Sequence, residues 1–312
     1  MTVEIRTAAA AAWLFGALGA GAALAGGVHA DPLEQTFEVA PDVRVDIELL
    51  SGAIELRAID ENEVRVWANG PIEVEGSHRQ VSLRARSSGW MPWSHPGDVD
   101  LRIEVPRKSR ITARTINGGI KAEDVAGELD LHAANGAIEV KGAPDEAHLE
   151  TMNAAIRFEG ERSSVVAKTL NGAIDLTGVS GEVQATTVSG RIRVEGEQIE
   201  RAELRTMAGE IELDGSLAKG ARVDARSFSG AVRLRLPEDT SARFDVQSWS
   251  GGIHSDFTSR LTGDDGGEDR RRWGVGAWGH GPRQPLSFAI GGGDARISIE
   301  SFSGGVRIEK SD

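Results

Sequence analysis

The sequence predicts an all-β fold, a single-chain parallel β-solenoid of about 18–21-residue coils. Three observations carry the prediction. A short unit of strand, Gly turn and strand returns at a nearly constant interval. Apolar residues alternate with period two inside each unit. No stretch shows helical periodicity, and about eighteen residues are too few for a strand–helix–strand unit.

The interval is read from the polar residue before each turn glycine. These anchors are Asn117, Asn135, Asn153, Asn171, Ser189, Ala208, Ser229 and Ser250. They recur every eighteen residues, then after nineteen, then after twenty-one. Ser303 restarts the pattern in "SFSGGVRIE", and Ser51 and Asn69 read as earlier copies. Three residues beyond the anchor stands a β-branched residue such as Ile120, Ile138, Ile156, Ile174 or Ile192. Two further on comes a second apolar residue, for instance Val140, Phe158, Leu176 or Val194. The same parity runs before the anchor, through Leu129, Leu131 and Ala133 or Val183, Ala185 and Thr187. Such alternation means strands with one buried face. A second glycine often follows, as at Gly142, Gly160, Gly178, Gly196 and Gly215. The corner glycines are expected to supply positive φ. One unit cannot bury its apolar side alone, and stacked units can.

The residue between the two apolar positions is expected to face solvent. Along successive coils it is Lys121, Glu139, Arg157, Asp175, Arg193, Glu212 and Arg233. The sign alternates at each step, which is favourable between vertical neighbours of a parallel stack. Strict alternation leaves no net field, so a charged binding face is not expected here. The Asn and Ser anchors are expected to form a ladder of side-chain hydrogen bonds at the corner.

Two segments break the period. Residues 75–110 read as an inserted hairpin around a loop with Trp90 and Trp93, and residues 256–290 as a Gly-rich loop with Arg271, Trp273 and Trp278. Solenoid ends expose strand edges, so the first expectation is that these loops cap the ends. The alternative makes Trp90, Trp93, Arg271, Trp273 and Trp278 ligand-binding residues, since long loops on rigid scaffolds carry binding. A third feature is the residue just before each anchor: Ile116, Met152, Leu170, Val188, Met207, Phe228, Trp249 and Phe302. Strict alternation turns this stripe outward, most prominently at Met207, Phe228, Trp249 and Phe302, and an exposed stripe marks a partner surface. The plainer expectation is that the corner turns these side chains inward or that the C-terminal loop covers them.

Composition limits the function. The 312 residues include 39 Gly and no Cys or Tyr, and the formal net charge is −13. The charge disfavours a nucleic-acid partner and simple attraction to anionic lipid. The missing Cys excludes disulfides, thiolate catalysis and thiolate metal sites. Residues 1–30 read as an export signal: Arg6, an apolar stretch from Ala8 to Leu24, then Val28-His29-Ala30 before a cleavage point. Residues 31–312 are then one β-solenoid domain with no membrane-spanning segment, in the periplasm, secreted or at the cell surface.

No catalytic residue, metal site or cofactor is expected. No G-x-S-x-G nucleophile motif occurs, and the Ser-Gly pairs are turn residues. His132 and His148 fall in adjacent coils at different strand positions. "GDDGGED", with Asp264, Asp265 and Asp269, lacks the spacing of calcium β-rolls. A β-helix polysaccharide lyase or hydrolase is the enzymatic alternative. It needs clustered carboxylates, whereas Glu139, Asp175 and Glu212 each stand between cations, which makes poor general acids.

The "NGAIEV" and "SGRIRV" units, "LRIEVPRKSRITARTINGGI" (Leu101 to Ile120) and the closing "ARISIESFSGGVRIE" resemble a bacterial family of adhesin-like, β-strand-repeat proteins of unknown function. The resemblance covers roughly residues 40–310. It implies a β-solenoid and an exported or envelope-associated location, and it brings no catalytic residues. The functional expectation is an exported, non-enzymatic envelope or surface β-solenoid, either an adhesin-like binding module or a structural one, with an envelope glycan or a protein as the candidate partner. An envelope-stress accessory protein acting through a membrane partner is a further alternative.

Overall fold

The structure is a computed structural model and describes residues 33–85, 98–161, 163–257 and 286–311. The export signal, Trp90, Trp93, Asp264, Asp265, Asp269, Arg271, Trp273 and Trp278 lie outside the described residues. The described residues hold 23 strands and no helix, and all the strands belong to one hydrogen-bonded system. In chain order they begin with β1 (Leu33–Glu38), β2 (Arg44–Ser51), β3 (Ile54–Ile59), β4 (Glu63–Ala68), β5 (Ile72–Gly76), β6 (Gln80–Ala85) and β7 (Leu101–Pro106). The middle contains β8 (Arg110–Asn117), β9 (Ile120–Glu123), β10 (Glu128–Ala133), β11 (Ile138–Gly142), β12 (Glu146–Thr151), β13 (Ile156–Gly160) and β14 (Ser164–Asn171). Three long strands follow: β15 (Ile174–Ser189), β16 (Ile192–Ala208) and β17 (Ile211–Ser229). The last are β18 (Val232–Pro237), β19 (Ala242–Ser248), β20 (Ile253–Ser255), β21 (Leu286–Ile290), β22 (Ala295–Ser303) and β23 (Val306–Ser311).

From β8 to β17 the chain winds as a parallel, solenoid-like sheet. Ile120, Ile138, Ile156, Ile174, Ile192 and Ile211 pair in register, each with the next. The strands before the corner stack the same way, with Ile111, Leu129, Ala147, Val165 and Val183 in one column. Both sets of inward residues are buried in one aliphatic core. In β15 to β17 the second corner is not a break. The strand runs through it as an irregularity, with register shifts between Thr177 and Glu182 and between Gly196 and Arg201.

The ends depart from the expected order. Among the described residues, the hairpin expected at 75–110 is not seen, because β6 and β7 do not pair with each other. β6 stacks parallel on β2 and β7 parallel on β3, so together they form a coil outside the first one. β8 and β9 then stack on the other side of β2 and β3. Asn69 likewise anchors no coil: β5, which follows it, pairs antiparallel with β6. The mirror arrangement closes the C-terminal end. β22 lies between β17 and β19, and β23 between β18 and β20. Antiparallel strands cover these edges: β5 on β6, β4 on β7, β1 on β4, and β21 on β19.

The corner has its own chemistry. Two before most anchors stands a buried Thr or Ser, with Ala133 before Asn135 and Leu49 before Ser51 as the exceptions, and most of these hydroxyls donate to a corner carbonyl of a neighbouring coil. Thr169 Oγ1 reaches the Ala154 oxygen at 3.1 Å, Thr187 the Gly172 oxygen at 3.2 Å, and Ser227 the Gly209 oxygen at 3.2 Å. Thr115 is buried at the same position, but its hydroxyl has no partner. The pair gives an internal control. Thr187→Val is expected to cost about 1 kcal/mol, while Thr115→Val is neutral or stabilising. Urea unfolding of both variants measures this, and equal midpoints would show that the corner hydroxyls contribute nothing.

Candidate functional site

The stripe before the anchors points outward. In β14, β16 and β22 the Thr or Ser faces the core, the next side chain faces solvent, and the chain then enters the corner, so the anchor is exposed too. Read through the stack in space, the stripe runs Leu50, Ile116, Ala134, Met152, Leu170, Val188, Met207, Phe228, Phe302 and Trp249. Nine of the ten large hydrophobic side chains exposed among the described residues stand on this line. Exposure is therefore concentrated, not scattered as on an ordinary surface. Met207 is 58% exposed and Phe228 56%. At about 4.8 Å per step the line is about 43 Å long and one side chain wide.

Its C-terminal end is aromatic. Phe228 and Phe302 stack with ring centroids 4.8 Å apart and planes within 3°, and Trp249 lies 6.0 Å from Phe302 at a tilt of 34°. This cluster forms because β22 enters between β17 and β19, so Phe302 comes between Phe228 and Trp249. Chain order alone places Phe302 last. The expectation that the corner turns the stripe inward is overturned: the parity change falls one residue later, at the anchor.

Beside the stripe runs the expected amide ladder. The Nδ2 groups of Asn135, Asn153 and Asn171 donate to the Oδ1 atoms of Asn117, Asn135 and Asn153 at 3.0, 2.8 and 3.1 Å. Ser and Ala replace Asn from Ser189 onward and are too short to continue it. The ladder ties the coils from Asn117 to Asn171 together at their corner.

The alternating charges on the other sheet stand in register: Lys121, Glu139, Arg157, Asp175, Arg193, Glu212 and Arg233. Arg157 bonds Glu139 at 2.9 Å. One member departs from expectation. Glu212 is 4% exposed and faces three arginines, not solvent. Arg193 donates to its Oε2 at 2.9 and 3.1 Å, while Arg235 and Arg233 lie 2.9 and 3.7 Å from its Oε1. Burial alone would raise this carboxyl, but the Arg193 hydrogen bonds and the charges of Arg193, Arg235 and Arg233 outweigh it and hold the group below its ordinary range. Alternation ends at Arg233, whose next neighbour is Arg307.

His132 bonds Asp130 at 2.8 Å and stands opposite Glu150, while His148 stands opposite Asp130. The two histidines thus occupy different columns. Among the described residues no group of three His, Asp or Glu is placed to hold a metal. An open groove of about 1040 Å³ at the opposite corner carries Glu161, Glu195, Glu197, Glu200 and Asp214. No helix among the described residues is long and apolar enough to cross a membrane.

These features define a class: an all-β, solenoid-like repeat with a continuous exposed apolar line along one corner. Residues 53–230 match the Toastrack DUF4097 family, and the chain belongs to it. The resemblance read from the NGAIEV-type units is borne out. No curated protein matches the chain. Among solved structures, a candidate adhesin from Bacteroides fragilis is 11% identical, with 89% of this chain and 97% of that one covered and a TM-score of 0.45. A candidate lipid-binding protein from Parabacteroides distasonis is 11% identical, covering 90% and 97% at a TM-score of 0.33. A candidate cell adhesion protein from Clostridium sporogenes is 12% identical, covering 90% and 100% at 0.26.

Proposed function

We propose that this protein is an exported, non-enzymatic β-solenoid of the cell envelope or surface whose apolar line docks a protein partner. Residues 1–30 act as a cleaved signal, and residues 31–312 form one domain of 18–21-residue coils. The observation that carries the reading is the line from Leu50 to Trp249, exposed at nine of its ten stacked positions, with Ala134 half-buried. Its shape favours protein over glycan. Sugars bind aromatic faces, and the facing surfaces of Phe228 and Phe302 are spent on each other, leaving ring edges to the partner. A line one side chain wide suits an apolar segment of another chain. The loops with Trp90, Trp93, Arg271, Trp273 and Trp278 are proposed as secondary contacts.

The test is co-sedimentation of residues 31–312 with outer membrane, inner membrane and peptidoglycan sacculi. A triple variant, Met207→Ser, Phe228→Ser and Phe302→Ser, runs beside the wild type. These side chains are exposed, so the variant is expected to fold, which circular dichroism checks. Saturable binding that the variant loses by about tenfold or more, and that protease treatment of the fraction abolishes, supports the reading. Undiminished binding by the variant would overturn it. Binding to protease-treated sacculi would move the partner to glycan.

A further inference from the structure

A column of four arginines crosses the C-terminal coils. Arg201 pairs in register with Arg222, Arg222 with Arg296, and Arg296 with Arg243. All four are exposed. Cations stacked about 4.8 Å apart repel one another. The charge column of the other sheet avoids this by alternating sign. Where it does bring Arg233 beside Arg307, each has a carboxylate: Glu210 lies 3.1 Å from Arg233, and Glu309 lies 3.6 Å from Arg307. In the arginine column only the end member is so placed, with Arg201 4.0 Å from Glu182. Among the described residues, Arg222, Arg296 and Arg243 have no carboxylate within 4.0 Å, in a chain of net charge −13.

The same three arginines line one hollow of about 330 Å³, together with Gly220, Gly293, Asp294 and Ala295. Asp294 is the one carboxylate in that lining, so three arginines share it with one negative charge. Ser241 braces the rim, its Oγ accepting from the amides of Gly292 at 2.9 Å and Asp294 at 3.4 Å.

We infer that this hollow is a binding site for a phosphate-class oxyanion, bridged by Arg222, Arg296 and Arg243. Guanidinium groups meet phosphate oxygens in pairs, and three in a row at strand spacing match a ligand with more than one anionic group. A bound oxyanion also removes the repulsion that the column otherwise carries. The chemistry fits a free polyphosphate or the phosphomonoester headgroup of a lipid. The site lies apart from the apolar line: along β17, Arg222 and Phe228 are six residues, about 20 Å, apart. It stands or falls independently of the docking proposal.

The probe is inorganic tripolyphosphate, titrated calorimetrically into residues 31–312 at low salt. Arg296→Gln removes the central cation and is expected to weaken binding by about tenfold or more. Arg157→Gln, in the alternating column, is expected to bind as wild type. Without ligand, Arg296→Gln is expected to melt at the same or a higher temperature, since it relieves like-charge contacts, while losing the ligand-induced rise. A second arm floats the protein with phosphatidylcholine vesicles with and without phosphatidic acid. Arg296-dependent flotation assigns the site to a lipid headgroup, and tripolyphosphate binding without flotation assigns it to a free phosphate compound. No binding in either arm overturns the inference. So does equal loss in Arg296→Gln and Arg157→Gln, which would mean diffuse attraction to surface charge.

Discussion

Gly190→Ala is expected to destabilise the protein by about 3 kcal/mol, lowering the melting temperature by about 6–12 °C. The reason is the distance between coils at the corner. A Cβ on Gly190 would overlap the carbonyl oxygen of Gly172, and one on Gly209 would overlap that of Gly190. The obstacle is backbone, which cannot rotate aside as a side chain would. Neither residue has positive φ, so the cost is steric contact, not a left-handed conformation. Gly190 also donates its amide to Ala208 at 3.0 Å, so turning the corner outward would break a bond between coils. Ala154 shows what the alternative requires. At that corner the amide of Asn153, not that of the following residue, makes the inter-coil bond, to Ala134. Gly252→Ala is the control, because a Cβ there meets nothing within 4 Å. Thermal melts of the two variants decide the matter. A Gly190→Ala melting temperature equal to that of Gly252→Ala would show that the corner glycines do not set the coil spacing.

Parity along a strand depends only on neighbours, so Leu129, Leu131 and Ala133 or Val183, Ala185 and Thr187 could be assigned to the core from the chain alone, and all are buried. The regular interval is equally local, and the Ile120 to Ile211 column follows from it. Positive φ, expected for the corner glycines, holds at Gly142, Gly178 and Gly215 of the second corner, but Gly118, Gly136, Gly172, Gly190 and Gly209 after the anchors lack it, and there the oxygen that excludes a Cβ belongs to the coil before. Spatial order at the ends leaves no periodic trace. Ile54 pairs with Leu101, and Val232 with Val306, across separations that match no repeat. The Phe228–Phe302–Trp249 cluster was therefore legible as outward side chains but not as a stack. The arginine column did leave a signal, since Arg201, Arg222 and Arg243 recur at twenty-one residues; only Arg296, the central member, needed the fold.

Glu212→Gln is expected to cost about 2–4 kcal/mol at neutral pH, with a pH dependence that identifies the cause. The carboxylate is buried, and Arg193, Arg233 and Arg235 converge on it. The amide keeps the shape and one acceptor but loses the charge. Three guanidinium groups then lose the anion they share, although Arg233 retains Glu210, and Arg235 retains Asp214 and Glu309. The folded state holds the Glu212 carboxyl below its ordinary value of about 4.5 because the arginines outweigh burial. A group held low in the folded state stabilises it fully above the unfolded value, and that stabilisation fades as pH falls through the folded value. The gap between wild type and Glu212→Gln should therefore be constant from neutral pH down to about pH 5 and close on further acidification. Urea unfolding at a series of pH values measures it. A gap that persists unchanged into strong acid would mean that Glu212 acts through packing alone, and that the converging arginines hold no ionised carboxylate between the coils.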